Sequence, residues 1–203
     1  MTIMIVFNYP PGATPLDPNE TEGLKIRHIT NREELNRFEQ DNINEALKWL
    51  TTRRKSDILT EKFVKTLHKK MFGKVWIWAG SFRRSDKNIG VDWKQIPVCL
   101  RALLDDVKYW IEHNTYPAEE IAVRFHHKLV WIHMFPNGNG RHARLMADVF
   151  VKTVLKQKPV IWGGKNIETG DEDRSKYIAA LRKADNGDFE MLLKFIRFDR
   201  KNK

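Results

Sequence analysis

The stretch His133-Met134-Phe135-Pro136-Asn137-Gly138-Asn139-Gly140-Arg141-His142-Ala143-Arg144 decides the fold of this chain, because it joins two helical patterns through a glycine-rich turn. An apolar run over residues 129–132 precedes the stretch, and apolar residues at helical spacing follow it. The pattern therefore predicts a helix over about 117–133, a loop, and a second helix over about 139–156.

The loop between these helices has the features of an anion site. Gly138 and Gly140 permit backbone angles that side chains forbid, and successive N–H groups in such a turn can form an anion nest. The helix that begins near Asn139 adds the N–H groups of its first turn and the positive end of its dipole. Arg141 and Arg144 are three residues apart, so they share a helix face, and guanidinium groups suit phosphate oxygens.

His133, on the other side of the loop, is a candidate general base. The ordinary pKa of histidine lies near neutrality, so its ring can accept a proton from a hydroxyl. The same residues also fit a plain turn between helices, in which Arg141 and Arg144 form a solvated face and His133 is a core histidine. Spacing alone leaves both interpretations open.

The stretch resembles the signature of the Fic family, His-x-Phe-x-(Asp/Glu)-Gly-Asn-Gly-Arg-x-x-Arg. Seven of its eight specified positions match, namely His133, Phe135, Gly138, Asn139, Gly140, Arg141 and Arg144. The departure is Asn137, where the family usually has a carboxylate. Residues 12–16, 22–24, 75–80 and 86–90 further resemble a bacterial Fic subgroup called mobile mystery protein B.

The resemblance implies a mainly α-helical fold, a Fic-type helical bundle with a small β-hairpin flap before the motif helix pair. The flap is expected over 82–91, with Ile89 and Gly90 at the edge that would hold a target peptide by strand addition. The alternative for this segment is a basic surface loop. We expect an irregular N-terminal segment over 1–30, a single Fic-like helical domain over 31–198 and a basic tail over 199–203.

The resemblance also implies a protein adenylyltransferase, which moves AMP from ATP to a Tyr, Thr or Ser hydroxyl of a target protein. His133 would take the proton from the hydroxyl, whose oxygen then attacks the α-phosphorus and displaces pyrophosphate. Asn139 and the loop N–H groups of Gly138 and Gly140 would hold the α-phosphate oxygens as charge builds on them.

Further roles follow from the same resemblance. Arg141 would contact the β-phosphate, Arg144 would contact the γ-phosphate or an inhibitory element, and Phe135 would anchor the loop. The family's usual carboxylate helps to hold Mg²⁺ or Mn²⁺, whereas Asn137 offers a neutral carbonyl oxygen. We therefore expect weaker metal binding at Asn137 rather than none.

Many Fic proteins are held inactive by a glutamate that pairs with the second motif arginine, within the signature (Ser/Thr)-x-x-x-Glu-(Gly/Asn). No stretch of this chain matches that signature. Glu39 lies on a predicted helix in the corresponding part of the chain, but its neighbours differ. A surface glutamate is the favoured interpretation of Glu39, and inhibition is the alternative.

Composition narrows the classes of partner. The formal net charge of +10 is spread along 203 residues without a long polybasic arm, which disfavours nucleic acid as a partner. The apolar runs are too short for a membrane span or a signal peptide, so we expect a cytoplasmic protein. The subgroup resemblance implies a toxin–antitoxin-like setting with a helix-turn-helix partner protein.

Asn137 keeps two other functions open. The chain could transfer another nucleotide or a phosphate, or it could be a non-catalytic regulatory or interaction protein. The presence of His133, Asn139, Arg141 and Arg144 together favours an enzyme, since an interaction module has no need of a general base.

Overall fold

Helices dominate the computed structural model, which describes residues 14–52, 57–158, 160–162 and 171–198. The helices are α1 (Pro18–Thr21), α2 (Arg32–Thr52), α3 (Glu61–Phe72), α4 (Ile96–Glu112), α5 (Ala118–Ile132), α6 (Asn139–Thr153), α7 (Asp171–Asp185) and α8 (Glu190–Phe195), with a 3-10 turn at Trp93–Gln95. The strands β1 (Ile161–Trp162) and β2 (Ile196–Arg197) pair antiparallel. The expected mainly helical fold is confirmed. The predicted basic tail over 199–203 lies outside the described residues.

The described residues divide into two compact units. The first contains those up to Ile96 together with His133–His142, and the second contains those of Pro97–Ile132 and Ala143–Lys203. Most of the motif, from His133 to Arg141, therefore belongs to the first unit, whereas Arg144 belongs to the second. None of the helices in the described ranges is both long and apolar enough to cross a membrane.

Helices α2 and α3 pack together in the first unit. The Thr60 side chain accepts the Phe63 N–H at 3.2 Å and so begins α3. Apolar residues at helical spacing then bury one face of α3, among them Val64, Leu67 and Met71. Full burial of one such side chain stabilises the fold by roughly 1.5–3 kcal/mol.

The second unit has its own core. Phe125 of α5 and Phe150 of α6 lie with ring centroids 5.0 Å apart. Tyr177 of α7 packs against Phe195 of α8 at 5.5 Å, and Leu192 of α8 is fully buried. Helix α8 is short, because the chain extends into β2 after Phe195.

The structure places no strand in the segment 82–91, which is an irregular loop. The β-hairpin expected there is therefore wrong. Arg83 gives the physical reason. The buried guanidinium of Arg83 donates hydrogen bonds to the backbone carbonyls of Ser85, at 2.7 Å, and of Val91. These two carbonyls are therefore bonded to a side chain of the loop itself. The N-terminal segment expected to be irregular also contains the short helix α1.

Candidate active site

His133 is held in a conformation that side chains rarely adopt. It follows α5 directly and has φ of +54°, in the left-handed region. The buried Arg83 fixes this backbone through two hydrogen bonds. Its side-chain Nε donates to the His133 carbonyl at 2.7 Å, and its backbone N–H donates to the Met134 carbonyl at 2.9 Å. Such strain persists only where the surroundings enforce it, and it often marks functional sites.

A hydroxyl group already lies against the His133 ring. The distance from Thr14 Oγ1 to His133 Nε2 is 3.1 Å, and the direction of the hydrogen bond depends on the tautomer of the ring. This distance is within the range over which a general base takes a proton from its substrate. The role of His133 as a general base stays a prediction.

Of the two glycines in the motif, only Gly138 has a positive φ. Gly138 has φ of +78°, and a Cβ added there would lie 2.6 Å from two atoms of the Phe72 ring. Gly140 is the second residue of α6 and is helical, so the conformational freedom expected there is not used. The His142 N–H donates to the Gly138 carbonyl at 2.9 Å, and helix geometry leaves the N–H groups before it for a ligand or a cap.

Asn139 shapes the loop through its side chain. Its Oδ1 accepts the Phe135 N–H at 2.9 Å, and its Nδ2 donates to the Phe135 carbonyl at 2.7 Å. Both polar ends of this buried amide are therefore bonded to the loop backbone. The expected contact between the Asn139 side chain and a phosphate stays a prediction, and the N–H groups at the start of α6 are the donors that this geometry leaves for an anion.

Phe135 anchors the loop on a histidine that the sequence analysis missed. Phe135 is fully buried and stacks on His68 of α3, with ring centroids 3.7 Å apart. His68 Nδ1 accepts the Gly80 N–H at 3.0 Å, so Nε2 carries the proton and donates to the Asn137 carbonyl at 3.0 Å. Burial holds the pKa of His68 well below its ordinary value, which keeps the ring neutral.

Glu39 is buried and paired with the first motif arginine. Its side chain is 0% exposed, so its interpretation as a surface glutamate is wrong. Glu39 Oε2 accepts from Arg141 at 2.7 Å, and Oε1 accepts from the Trp76 indole N–H at 2.6 Å. The guanidinium of Arg141 also lies 4.8 Å from the centroid of the Phe72 ring. The residue expected to contact the β-phosphate is thus held by a carboxylate of the same chain.

Arg144 lies two residues after His142, where this part of the first unit ends, and packs within the second unit. Its guanidinium carbon is 6.0 Å from the centroid of the Tyr177 ring. The hydroxyl of Tyr177 lies 2.9 Å from His126 Nε2, and burial raises the pKa of Tyr177. The expected contact of Arg144 with a γ-phosphate or an inhibitory element stays a prediction.

Asn137 offers a metal ion one neutral amide oxygen, and metal binding there stays a prediction. Its Oδ1 already accepts the Gly138 N–H at 2.7 Å, and its buried Nδ2 has no hydrogen-bond partner. In the described ranges, no group of three or more His, Cys, Asp or Glu side chains could hold a metal. Mg²⁺ prefers charged oxygens, so a metal ion would arrive with the nucleotide as part of the substrate.

Replacing Asn137 with aspartate is expected to raise the effect of Mg²⁺ on ATP affinity by about fivefold, the equivalent of ~1 kcal/mol for a charged rather than a neutral ligand. The carboxylate would still accept the Gly138 N–H, and the unpaired amide donor would be removed. Calorimetric titration of ATP with and without Mg²⁺ measures the effect. Asn88→Asp, on an exposed residue, is the matched control. An equal response to Mg²⁺ in wild type and Asn137→Asp would contradict this account of Asn137.

The loop over 82–91 contacts residues 15–20 of the same chain. Lys87, with a side chain 3% exposed, pairs with Asp17 at 2.9 Å and Glu20 at 2.5 Å. Ser85 Oγ donates to Asp17 at 2.6 Å. Of the two residues expected at the flap edge, Ile89 is 44% exposed, and Gly90 is exposed with φ of +101°. Their contact with a target stays a prediction.

Known proteins resemble this chain in sequence. Residues 58–151 match the profile of the Fic/DOC family. The chain is 32% identical over 143 residues to "Protein adenylyltransferase Fic" of Drosophila virilis, covering 68% of this chain and 28% of that protein. It is 29% identical over 160 residues to the Aedes aegypti protein of the same name, covering 76% of this chain and 30% of that protein. The chain therefore spans less than a third of the length of these relatives.

Solved structures share the fold. C. elegans Fic-1 (residues 134–508) superposes with a TM-score of 0.58 at 25% identity, covering 76% of this chain and 45% of that one. The N-terminal FIC domain of Bep8 from Bartonella sp. 1-1C superposes with a TM-score of 0.64 at 14% identity, covering 85% of both chains. The helical arrangement is therefore of the Fic type.

Proposed function

Because the chain belongs to the Fic/DOC family, we propose that it is a protein adenylyltransferase, which moves AMP from ATP to a Tyr, Thr or Ser hydroxyl of a protein. The observation that carries the proposal is the hydroxyl oxygen 3.1 Å from His133 Nε2, beside a glycine loop that leads into the N-terminus of α6. A base and an anion site are the two parts that this reaction needs. The relatives named as adenylyltransferases support the same assignment.

In the proposed reaction His133 Nε2 takes the proton of the acceptor hydroxyl. The hydroxyl oxygen attacks the α-phosphorus of ATP, the bond between the α-phosphorus and the bridging oxygen breaks, and pyrophosphate leaves. The N–H groups at the start of α6, among them those of Asn139 and Gly140, donate to the α-phosphate oxygens as negative charge builds. Arg141 neutralises the β-phosphate.

The ATP proposal is tested by a thermal melt. ATP with Mg²⁺ raises the melting temperature of a protein that binds it in the folded state. We expect this rise in the wild type and a smaller rise in Arg141→Gln, which lacks the guanidinium group proposed to contact the phosphate. If ATP left the melting temperature unchanged with and without Mg²⁺, both in the wild type and in a Glu39→Gln variant that lacks the carboxylate paired with Arg141, the interaction-protein alternative would replace the enzyme.

Target modification is tested with α-labelled ATP and a bacterial lysate. We expect label on a lysate protein or on the chain itself, and none with the His133→Asn variant. We also propose a cytoplasmic location. The resemblance to the bacterial subgroup extends the proposal to a helix-turn-helix partner protein in a toxin–antitoxin-like setting.

Glu39 is proposed to regulate the binding of the nucleotide. The Glu39 carboxylate holds Arg141 at 2.7 Å, so it competes with a nucleotide phosphate for the same guanidinium. Its second oxygen is fixed by Trp76 at 2.6 Å, which holds the carboxylate in this orientation. We propose that nucleotide binding requires this pair to separate.

Glu39→Gln is therefore expected to raise ATP affinity by about tenfold, the equivalent of ~1.4 kcal/mol of lost competition, and to raise the basal rate of transfer. A glutamine can still accept the Trp76 indole N–H, so the variant removes charge and keeps shape. Isothermal titration of ATP measures the effect. Glu45→Gln on the same helix, where Glu45 forms an exposed pair with Lys74 at 2.5 Å, is the control and is expected to change nothing. Unaltered ATP affinity in Glu39→Gln would refute the competition.

A further inference from the structure

Thr14 occupies the position that an acceptor hydroxyl needs. Its Oγ1 lies 3.1 Å from Nε2 of His133, the nitrogen that takes a proton in the proposed reaction. Thr14 and His133 are 119 residues apart in the chain, so this contact depends on how the segment after Thr14 is held. Both residues belong to the first compact unit.

The segment after Thr14 is fastened by a buried lysine. Lys87 pairs with Asp17 and Glu20, and its ammonium also donates to the Pro15 carbonyl at 3.4 Å. A cation that is 3% exposed and has two carboxylate partners is costly to separate from them. The position of Thr14 is therefore set by ion pairs and not by the hydroxyl contact alone.

Two further hydrogen bonds hold the same segment. Ser85 Oγ donates to Asp17 at 2.6 Å, and the Trp78 indole N–H donates to the Glu20 carbonyl at 2.9 Å. Residues 15–20 thus rest on the loop over 82–91. That loop is the segment expected to hold a target peptide, so here a piece of the same chain contacts it and presents a threonine to the base.

We infer that Thr14 is an acceptor for AMP within its own chain, a proposal that rests on the proposed adenylyltransferase function. The Thr14 Oγ–H bond breaks and its proton passes to His133 Nε2. The Thr14 oxygen forms a bond to the α-phosphorus of ATP, and the bond from that phosphorus to the bridging oxygen breaks. The products are AMP joined to Thr14 by a phosphodiester and free pyrophosphate.

An intramolecular acceptor has a kinetic signature. The hydroxyl is held beside the base, so its effective concentration does not depend on how much protein is present. The fraction of protein labelled per unit time is therefore the same at low and at high protein concentration. Transfer between two copies of the chain would instead become faster as the concentration rises.

The test is to incubate purified full-length protein with α-labelled ATP and Mg²⁺, and to map the labelled peptide by mass spectrometry. Wild type and Glu39→Gln are run in parallel, so that an inhibited enzyme still gives a signal. We expect AMP on Thr14, label lost in Thr14→Val and kept in Thr14→Ser, and a labelled fraction that is independent of protein concentration. Thr21→Val is the matched control, since the Thr21 hydroxyl bonds the Asp17 carbonyl at 3.1 Å, and it should keep the label.

Asp17→Asn combined with Glu20→Gln gives a second test that leaves the Thr14 hydroxyl and the residues of the loop over 82–91 in place. Loss of both ion pairs to Lys87 should lower labelling of Thr14 at least tenfold, while His133-dependent transfer to other proteins in a lysate continues. Label on other sites or other proteins, dependent on His133 but absent from Thr14, would overturn the acceptor assignment and leave the proposed function standing. Absence of label everywhere, in both wild type and Glu39→Gln, would overturn both.

Discussion

His133→Asn is expected to lower the rate of AMP transfer by about 10²–10⁴-fold while leaving the protein folded, because the amide cannot take a proton from the acceptor hydroxyl. The fold should survive since Arg83 holds His133 through its backbone carbonyl, at 2.7 Å, and not through the ring. Asparagine also tolerates the left-handed conformation, with φ of +54°, better than most residues.

The rate of AMP incorporation and the melting temperature are measured on the same preparations. His133→Ala serves as the companion variant, since it also lacks the base but tolerates the left-handed backbone less well. Equal loss of transfer in both variants, with a lower melting temperature only in His133→Ala, would separate the chemical role from the backbone. Transfer within tenfold of wild type in His133→Asn would rule out His133 as the general base.

Gly138→Ala is expected to destabilise the protein by about 2–5 kcal/mol, because two effects add. A side chain in the left-handed region costs about 1–2 kcal/mol, and overpacking a core costs about 1–3 kcal/mol. The new Cβ would lie 2.6 Å from the ring of Phe72, which is 1% exposed and has little room to move. Gly138→Ala should also abolish ATP binding, because Gly138 shapes the loop that is proposed to hold the nucleotide.

Gly187→Ala isolates the backbone part of this effect. Gly187 has a similar φ of +85°, but a Cβ there would meet nothing within 4 Å. Gly187→Ala should therefore lower the free energy of unfolding by only about 1–2 kcal/mol. Denaturant unfolding of both variants measures the difference, and Phe72→Leu combined with Gly138→Ala should recover part of the loss. Equal destabilisation at the two glycines would show that the contact with Phe72 is unimportant.

The helices and the motif loop follow from local pattern. Apolar spacing predicts α5 and α6 closely, because each of these helices must bury one face. The turn residues between α5 and α6 predict the loop, and the positive φ of Gly138 is the kind of conformation for which glycine is used. These features depend on residues close together in sequence, which is why they could be predicted.

The polar contacts of the site could not be predicted, because they join distant parts of the chain. Glu39 and Arg141 are 102 residues apart, and His68 and Asn137 are 69 apart. A local signal for Glu39 did exist. The spacing of Leu35, Glu39 and Ile43 at i, i+4 places the glutamate on the buried face of α2. That spacing shows burial but does not name the partner.

The loop over 82–91 shows a second limit of sequence patterns. Its basic residues look alike in the sequence, yet Arg83 is 0% exposed and organises the loop, while Arg84 is exposed. Lys87 is buried between carboxylates that come from an earlier segment. Whether a charged side chain is buried depends on partners that fold against it, and the family resemblance predicted a hairpin where these partners instead shape a loop.

The proposed transfer of AMP with His133 as the base can be measured directly. The most direct measurement incubates purified Glu39→Gln protein with MgATP labelled on either the α- or the γ-phosphate, and counts label on protein and in pyrophosphate. We predict α-label on protein, one pyrophosphate released for each AMP bound, no γ-label on protein, and loss of all labelling in the Glu39→Gln/His133→Asn double variant. Protein that binds ATP yet carries γ-label without α-label, or no label at all, would contradict this proposal.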